Sequence, residues 1–579
     1  MAAHRNTRRL TILAQDPAVR LGGRLAFAQV DVPYEHLARG PTGYRVKVLD
    51  FDGSANVLYA PLEQVLDAKG EPRDQFAPPS NASAEALREW EEAVLADPRF
   101  HAQNVYAIVM RVLSRFEHAL GRRVRWAFKG HQLHVAPHAF REANAFYSEA
   151  DRALLFGYFR SPRSGKIVFT CLSHDIVAHE TTHALLDGIR EGFTEPSTPD
   201  QAAFHEGFAD VVALLSVFSL RKIVEVALTR GARPARTRTG IRLIPGKAVS
   251  EQGLANSILL GLGEEFGSHL EGARANCLRR SIALPPSRRY LQTGRYIEEH
   301  DRGEVFAAAM LRSFLSLWTA RIAALGTFGG GRYNLDLVIE EGAKAAGNLL
   351  TMAIRALDYC PPVDLEFGDY LAALLTADAE TAPDDSRFHY RRTIRQTFAS
   401  YGIVVPGEGT DPSSGCWRGF PEDDRVVYAR THFDSMLHDT EEVFRFLWEN
   451  RGVLGVDDRG YTRISSVRQS IRQGPDGFVV RETICEYLQV ARIFGAEART
   501  ALGVERPRGM RSNQSITAYG GGTLVFDEYG RIKYHVAHRL DDGRRQSARL
   551  AYLWEKGLLD SPKDARNQFA LIHRRRVGG

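Results

Sequence analysis

The first part of the chain alternates apolar and polar residues, whereas later segments repeat apolar residues at helical spacing. The alternation between Leu10 and Leu62 predicts a small sheet in a β-rich N-terminal region, residues 1–76. The helical spacing is typical of helices that bury one face. It is found in segments 85–95, 104–120, 311–324 and 335–357. Together these patterns predict an α+β fold.

The last part of the chain has a mixed pattern of its own. Segment 407–415 is rich in glycine and serine and predicts a linker. After it, residues 416–579 predict an appended α+β domain, with helices over 441–448 and 483–492 and a hairpin between 523 and 536. The sequence does not indicate the role of this domain.

Composition and charge are those of an ordinary folded protein. The 579 residues are 44% hydrophobic and 25% charged, and the net charge of +5 is small for this length, so neither disorder nor nucleic-acid binding is expected. The five cysteines are odd in number and lack CxxC spacing. They predict neither a disulfide framework nor a second zinc site, and reduced thiols fit best.

We expect a cytoplasmic protein without a membrane segment. Residues 1–16 include basic residues but only a brief apolar run, which is too short for the apolar region of a signal peptide. No other apolar run approaches the length of a bilayer span. The sequence therefore predicts neither export nor a membrane anchor.

The strongest chemical signal is an HExxH motif in a predicted helix, residues 174–188. Residues four apart lie on one face of a helix, so His179 and His183 can bind one metal ion together. Glu180 lies beside the first of them and can act as general base toward a water molecule at the metal. Two imidazoles with an adjacent carboxylate are typical of a catalytic zinc site.

A second predicted helix, residues 201–220, supplies the missing ligand. Glu206 completes a set of three protein ligands, which leaves a fourth position at zinc open for water. Asp210 follows one turn later and is placed to accept a hydrogen bond from the outer nitrogen of His179. His205 has two interpretations: it contacts substrate, or it is a packed residue, which is more common beside a ligand.

These motifs, together with other segments in the same order, resemble the thermolysin-like (M4-like) gluzincin metallopeptidases. The resemblance extends over roughly residues 100–405. The matching segments are Ala143–Tyr147, Leu155–Tyr158, Leu172–Ala178, Cys277–Arg279 and Ile394–Ile403. The resemblance implies a zinc-dependent metalloendopeptidase that acts on a peptide or protein substrate. It also implies a two-lobed fold, with a zinc-binding catalytic lobe at 84–300, a helical lobe at 301–405 and the active-site cleft between them.

The resemblance also assigns substrate-binding residues. In the family, the asparagine of an edge-strand motif and the backbone carbonyl that follows it hold an extended peptide. Here these positions are Asn144 and Ala145. Arg279 matches the arginine that binds the substrate carbonyl.

The chain departs from the family where the oxyanion of the transition state is stabilised. Phe306 occupies the position of the family's histidine, and no tyrosine lies between the zinc helix and the third ligand. Phenylalanine cannot donate a hydrogen bond, so we expect His300 or Arg279 to take over this role. The departures leave two alternatives, a specialised amide hydrolase and a weakly active or non-catalytic peptide-binding protein. Retention of Glu180, which zinc binding does not require, argues against the non-catalytic alternative.

Overall fold

The computed structural model of the protein describes residues 6–17, 20–21, 24–68, 70–162, 165–194, 197–231, 234–261, 281 and 283–559. Helices and strands are both abundant in these residues, which confirms the predicted α+β class. The helices are α1 (Ala84–Ala96), α2 (Pro98–Leu120), α3 (His174–Ile189), α4 (Pro199–Phe218), α5 (Arg221–Gly231), α6 (Glu251–Gly261), α7 (Glu299–Ala323), α8 (Leu335–Arg355), α9 (Phe367–Thr381), α10 (Tyr390–Ser400), α11 (Phe433–Met436), α12 (Thr440–Glu449), α13 (Arg451–Leu454), α14 (Ala498–Leu502) and α15 (Gly543–Glu555).

The strands are β1 (Thr7–Leu13), β2 (Arg20–Leu21), β3 (Arg24–Leu25), β4 (Phe27–Pro33), β5 (Val46–Val48), β6 (Phe51–Asp52), β7 (Val57–Leu58), β8 (Val65–Leu66), β9 (Pro72–Arg73), β10 (Leu133–Phe140), β11 (Ala145–Ser148), β12 (Ala153–Arg160), β13 (Ile167–Phe169), β14 (Ala235–Arg236), β15 (Arg242–Pro245), β16 (Arg332–Asn334), β17 (Tyr461–Gln473), β18 (Val479–Phe494), β19 (Ser515–Phe526) and β20 (Ile532–His538).

A five-stranded sheet lies beside α3. Its order is β11-β12-β10-β5, and β13 also pairs with β12. β10 runs parallel to both β12 and β5, whereas β11 is antiparallel to β12. β11 therefore forms one edge of the sheet, and this edge contacts α3.

Helices α4 and α7 approach closely through two glycines. A Cβ atom on Gly207 would lie 2.7 Å from the carbonyl oxygen of Gly303, and one on Gly303 would lie 2.9 Å from the carbonyl oxygen of Ala203. The helices come this close because neither residue has a side chain to separate them. The first turn of α7, with His300, is thereby held against α4, which carries Glu206.

Within the part of the chain that the structure describes, α7 is the one helix that is long and apolar enough to cross a membrane. The sequence pattern predicts no apolar stretch of this length, so this helix departs from the prediction. However, 72% of the apolar stretch of α7 is buried inside the protein. Packing against α4 and α10 accounts for its apolar surface, as in the core helix of a globular protein.

The C-terminal part is built on a four-stranded antiparallel sheet in the order β17-β18-β19-β20. The hairpin predicted between 523 and 536 is confirmed as β19 and β20. The helix predicted over 483–492 is wrong, because these residues lie in β18, where Thr483 pairs with Phe526. The middle of β18 is buried on both faces, so its apolar residues do not alternate as they do in a half-buried strand.

Buried ion pairs fasten this sheet to the helices. Arg472 of β17 lies 2.8 Å from the carboxylate of Glu482 and 3.6 Å from that of Asp358. Asp358 also binds Arg122, at the end of α2, at 2.6 Å. Burial raises the pKa of Asp358, but Arg122 and then Arg472 outweigh burial and lower this pKa to about 2. The carboxylate therefore stays ionised, and the C-terminal sheet is docked on the helical part.

Segment 407–415, predicted as a linker, is an ordered turn. The carboxylate of Asp411 accepts hydrogen bonds from the N–H groups of Ser413 and Ser414 at 2.9 and 2.7 Å. The indole N–H of Trp417 then donates to a backbone carbonyl of the helical part at 3.0 Å. Linkers and turns of this kind share a composition of glycine, serine and aspartate, which is why the pattern predicted a linker.

Candidate metal centre

His179 and His183 lie one turn apart on α3 and are both buried. Their Nε2 atoms are 2.9 Å apart. Glu206 of α4 faces this pair, and its carboxylate oxygens lie 3.6 Å from Nε2 of His179 and 3.7 Å from Nε2 of His183. Two helices thus bring together the three side chains predicted as metal ligands.

This set of donor atoms fits zinc. Ligand atoms bound at about 2.0–2.2 Å around a tetrahedral zinc ion are about 3.4 Å apart. The two spacings to Glu206 are close to this value, and the spacing between the histidines is about 0.5 Å shorter. Two imidazoles and a carboxylate are donors that zinc accepts, and three protein ligands leave one position for water. One donor atom from each of His179, Glu180 and His183 lies within 4.8 Å of those of the other two.

A polar side chain contacts the outer nitrogen of each histidine. Oδ1 of Asp210 lies 2.9 Å from Nδ1 of His179. Nδ1 of His205 lies 2.7 Å from Nδ1 of His183, and the two rings stack with their centroids 4.8 Å apart. Contacts of this kind fix the tautomer and the orientation of ligating histidines. His205, for which the sequence left two interpretations, is a buried residue that contacts a candidate ligand.

We expect Asp210→Asn to bind zinc about 10- to 100-fold more weakly than the unchanged protein, because an amide is a weaker acceptor than a carboxylate for the N–H of His179. Competition with a chromogenic chelator measures this affinity. Asp458→Asn, at an exposed position in the C-terminal part, is the matched control and should keep full affinity. Equal affinities of the two variants would remove Asp210 from the support of the site.

Glu180 is completely buried beside the two histidines. Its Oε2 accepts a hydrogen bond from the backbone N–H of Tyr147 in β11 at 3.0 Å. The Tyr147 hydroxyl donates to Asp187, near the end of α3, at 3.0 Å. Burial and then the charge of Asp187 raise the pKa of Tyr147 well above its usual value, so this hydroxyl stays protonated and can donate.

Sequence reasoning missed Tyr147 and Asp187. The contact of Tyr147 with Glu180 uses a backbone N–H, which any residue except proline provides, so the residue type carries no signal. The position of Asp187 does carry a sequence signal, since this residue lies one turn after His183 on the same helix.

Asn144 and Ala145 lie where β11 begins, at the sheet edge next to Glu180. The N–H of Gly157 donates to the carbonyl of Asn144 at 2.8 Å. In an antiparallel pair the backbone groups of successive residues point in opposite directions, so those of Ala145 point away from β12. The side chain of Asn144 accepts a hydrogen bond from the N–H of Ala145 at 2.9 Å.

His300, in the first turn of α7, reaches the same site. Its Nε2 lies 3.6 Å from Oε2 of Glu206. Its Nδ1 lies 2.7 Å from the carboxylate of Glu298, which also caps α7 by accepting from the backbone N–H of His300 at 3.0 Å. Glu298 thus orients the ring with Nε2 toward the candidate ligands. Sequence reasoning missed Glu298, although an acidic residue directly before a helix is a common capping signal.

Phe306 lies in the core. Its ring centroid is 5.1 Å from that of Phe367 and 5.5 Å from that of Phe204, and its side chain is completely buried. Arg279 lies outside the described residues. Of the two groups expected to replace the family's oxyanion histidine, His300 is therefore the one with an observed position.

Comparison with models of protein families gives no match. Comparison with curated proteins gives no match either. A function is therefore inferred from the site itself.

Proposed function

We propose that the protein is a zinc-dependent metalloendopeptidase that hydrolyses peptide bonds, with Glu180 as general base. The observation that carries this proposal is the convergence of His179, His183 and Glu206 from two helices beside this buried glutamate. These three residues would hold the zinc ion. Zinc, when bound, lowers the pKa of a water molecule and polarises the carbonyl of the bond to be cleaved.

Glu180 moves the proton in this proposal. Its carboxylate accepts a proton from the attacking water and passes it to the leaving amine as the peptide bond breaks. The N–H of Tyr147 binds Oε2 and restricts rotation of the carboxylate. Because the surroundings of Glu180 are buried, this proton transfer occurs away from bulk water.

The edge strand β11 binds the substrate in this proposal. A peptide or protein segment would add to the sheet, with contacts to the side chain of Asn144 and the carbonyl of Ala145. We further infer the two-lobed arrangement of the thermolysin-like family. The sheet, α3 and α4 form one side of the cleft, and the helices from α7 to α10 form the other. A cytoplasmic location is part of the same proposal.

His300 stabilises the oxyanion, and His300→Ala should lower kcat about 100- to 1000-fold with little change in KM, because the donor acts only in the transition state. Steady-state kinetics on one peptide measures both constants. Phe306→His should not raise kcat, since residue 306 packs against Phe204 and Phe367 in the core. A His300→Ala enzyme with unchanged kcat would assign the oxyanion to zinc alone or to Arg279.

Hydrolysis of a peptide library by the purified protein tests the proposed function directly. Cleavage is expected in the presence of zinc, loss of cleavage after chelation, and recovery when zinc is added back. Cleavage that is insensitive to chelation would exclude zinc catalysis. A zinc-loaded protein that cleaves no peptide in the library would exclude a general endopeptidase.

A specialised amide hydrolase of the same chemistry is the second candidate, and a cavity favours it. This cavity has a volume of about 650 Å³ and lies between the end of α3 and the C-terminal sheet. Asp187, which binds the Tyr147 hydroxyl, lines it together with Arg190 and Arg468. The C-terminal part therefore forms a wall close to the proposed substrate strand, and such a wall restricts which substrates fit.

A further inference from the structure

A second group of metal-binding side chains lies apart from the candidate zinc centre. His101 is on α2, His138 is on β10, and Cys171 is in a short 3-10 helix, Thr170–Leu172, just before α3. All three are buried, with at most 1% of each residue exposed. One nitrogen of each histidine and the sulfur of the cysteine lie within 4.8 Å of one another. This group shares no residue with the set formed by His179, His183 and Glu206.

The outer nitrogens of both histidines contact groups that accept hydrogen bonds. Nδ1 of His138 lies 2.8 Å from Oδ2 of Asp50, and Nε2 of His101 lies 2.9 Å from the backbone carbonyl of Leu95. A carbonyl oxygen can only accept, so His101 donates its N–H to Leu95, and the side chain of Asp50 is placed to accept the ring N–H of His138 in the same outward direction. Asp50 is itself held in place, since its other oxygen accepts from the backbone N–H of His138 at 3.1 Å.

This assignment leaves no proton between the two rings. Nδ1 of His101 and Nε2 of His138 are only 2.7 Å apart. A neutral imidazole has one N–H, and both rings use it outward, so two lone pairs face each other across this gap. A shared proton or a bound metal cation would remove this conflict; two nitrogens bound to one zinc ion lie about 3.4 Å apart, so the rings would separate by about 0.7 Å when a cation binds. The arrangement matches the second of these, because ligating histidines characteristically donate the outer N–H to a carbonyl or a carboxylate.

The position of Cys171 favours a metal cation over a shared proton. Its sulfur lies within 4.8 Å of one nitrogen of each histidine, and the four cysteines that the structure describes are free of disulfides. A thiolate would balance the charge of a buried cation, whereas a shared proton needs no third residue. Two imidazoles and one thiolate form a donor set that selects soft or borderline metals, copper and zinc above all.

We propose that His101, His138 and Cys171 bind one copper or zinc ion in addition to the zinc ion of the HExxH motif. This site would join α2, β10 and the segment that leads into α3, and so fix the start of the helix that carries His179 and His183. The sequence predicted no second zinc site, because its cysteines lack the paired spacing of zinc motifs. Here the ligands come from three separate elements, which no local spacing reveals.

Cobalt tests this proposal, because a cobalt-thiolate bond gives a near-ultraviolet charge-transfer band and the HExxH site contains no thiolate. Metal-free protein is loaded with Co²⁺ in four forms: unchanged, His183→Ala, Cys171→Ser and Cys416→Ser. The band is expected in the unchanged protein, in His183→Ala and in the control Cys416→Ser, and it should be lost in Cys171→Ser. Titration of the cobalt-loaded protein with Zn²⁺ and with Cu⁺, followed through loss of the band, then shows which of the two metals the site binds more tightly.

The outcome is independent of peptidase activity, since His183→Ala already lacks the proposed catalytic centre. If Cys171→Ser does not fold, X-ray absorption of the metal bound to His183→Ala replaces it. This spectrum should show one sulfur neighbour at about 2.3 Å for zinc. Absence of the band from the unchanged protein, or a metal in His183→Ala without a sulfur neighbour, would overturn the proposal and leave a shared proton between His101 and His138.

Discussion

Replacement of Glu180 by glutamine should lower kcat for peptide hydrolysis about 100- to 10,000-fold, the contribution that a general base typically makes. The amide keeps the size of the side chain and can still accept the hydrogen bond from the N–H of Tyr147. It cannot accept a proton from water at neutral pH. Zinc content and fold should be unchanged, because Glu180 is not one of the three proposed ligands.

Three measurements make this result specific to Glu180. Kinetics on a cleaved peptide gives kcat and KM, metal analysis gives the zinc content, and circular dichroism reports the fold. Glu505→Gln, at an exposed position far along the chain, should retain full activity. Turnover by Glu180→Gln equal to that of this control would exclude Glu180 as the base, and with it the proposed mechanism.

The helices that carry the site could be predicted because their signals are local. The sequence pattern predicts the zinc helix at 174–188 and the third-ligand helix at 201–220, and the structure has helices at His174–Ile189 and Pro199–Phe218. Capping explains the early start of the second, since the side chain of Thr198 accepts from a backbone N–H of its first turn.

Strand 479–494 could not be predicted in the same way. It lies in the middle of the C-terminal sheet and is buried on both faces. Its apolar run therefore lacks the alternation of a half-buried strand, and a short buried helix gives the same pattern. Only its pairing with residues far along the chain, such as Thr483 with Phe526, distinguishes the two.

The same distinction between local signals and contacts that depend on the fold applies to the candidate site. Spacing within a helix points to His179, His183, Glu206 and Asp210 without any knowledge of the fold. The contact of Glu180 with a backbone N–H in β11 depends on how a sheet edge meets a helix, which the sequence does not express. The approach of His300 to Glu206 likewise depends on the close crossing of α4 and α7 at two glycines.

Replacement of His183 by alanine should remove one equivalent of zinc from the protein and abolish peptide hydrolysis. The remaining imidazole and carboxylate do not hold the ion, because a catalytic zinc site uses three protein ligands and loses affinity steeply when one is absent.

The loss should be specific, since His131→Ala, at an exposed position, removes a histidine without touching the site. Metal analysis after gel filtration, with both variants and the unchanged protein side by side, gives the difference in zinc content. Because the group of His101, His138 and Cys171 is separate, the prediction concerns the loss of one equivalent and not the absolute content. If His183→Ala retains as much zinc as His131→Ala, the ion is bound by other residues, and His179, His183 and Glu206 are not a ligand set.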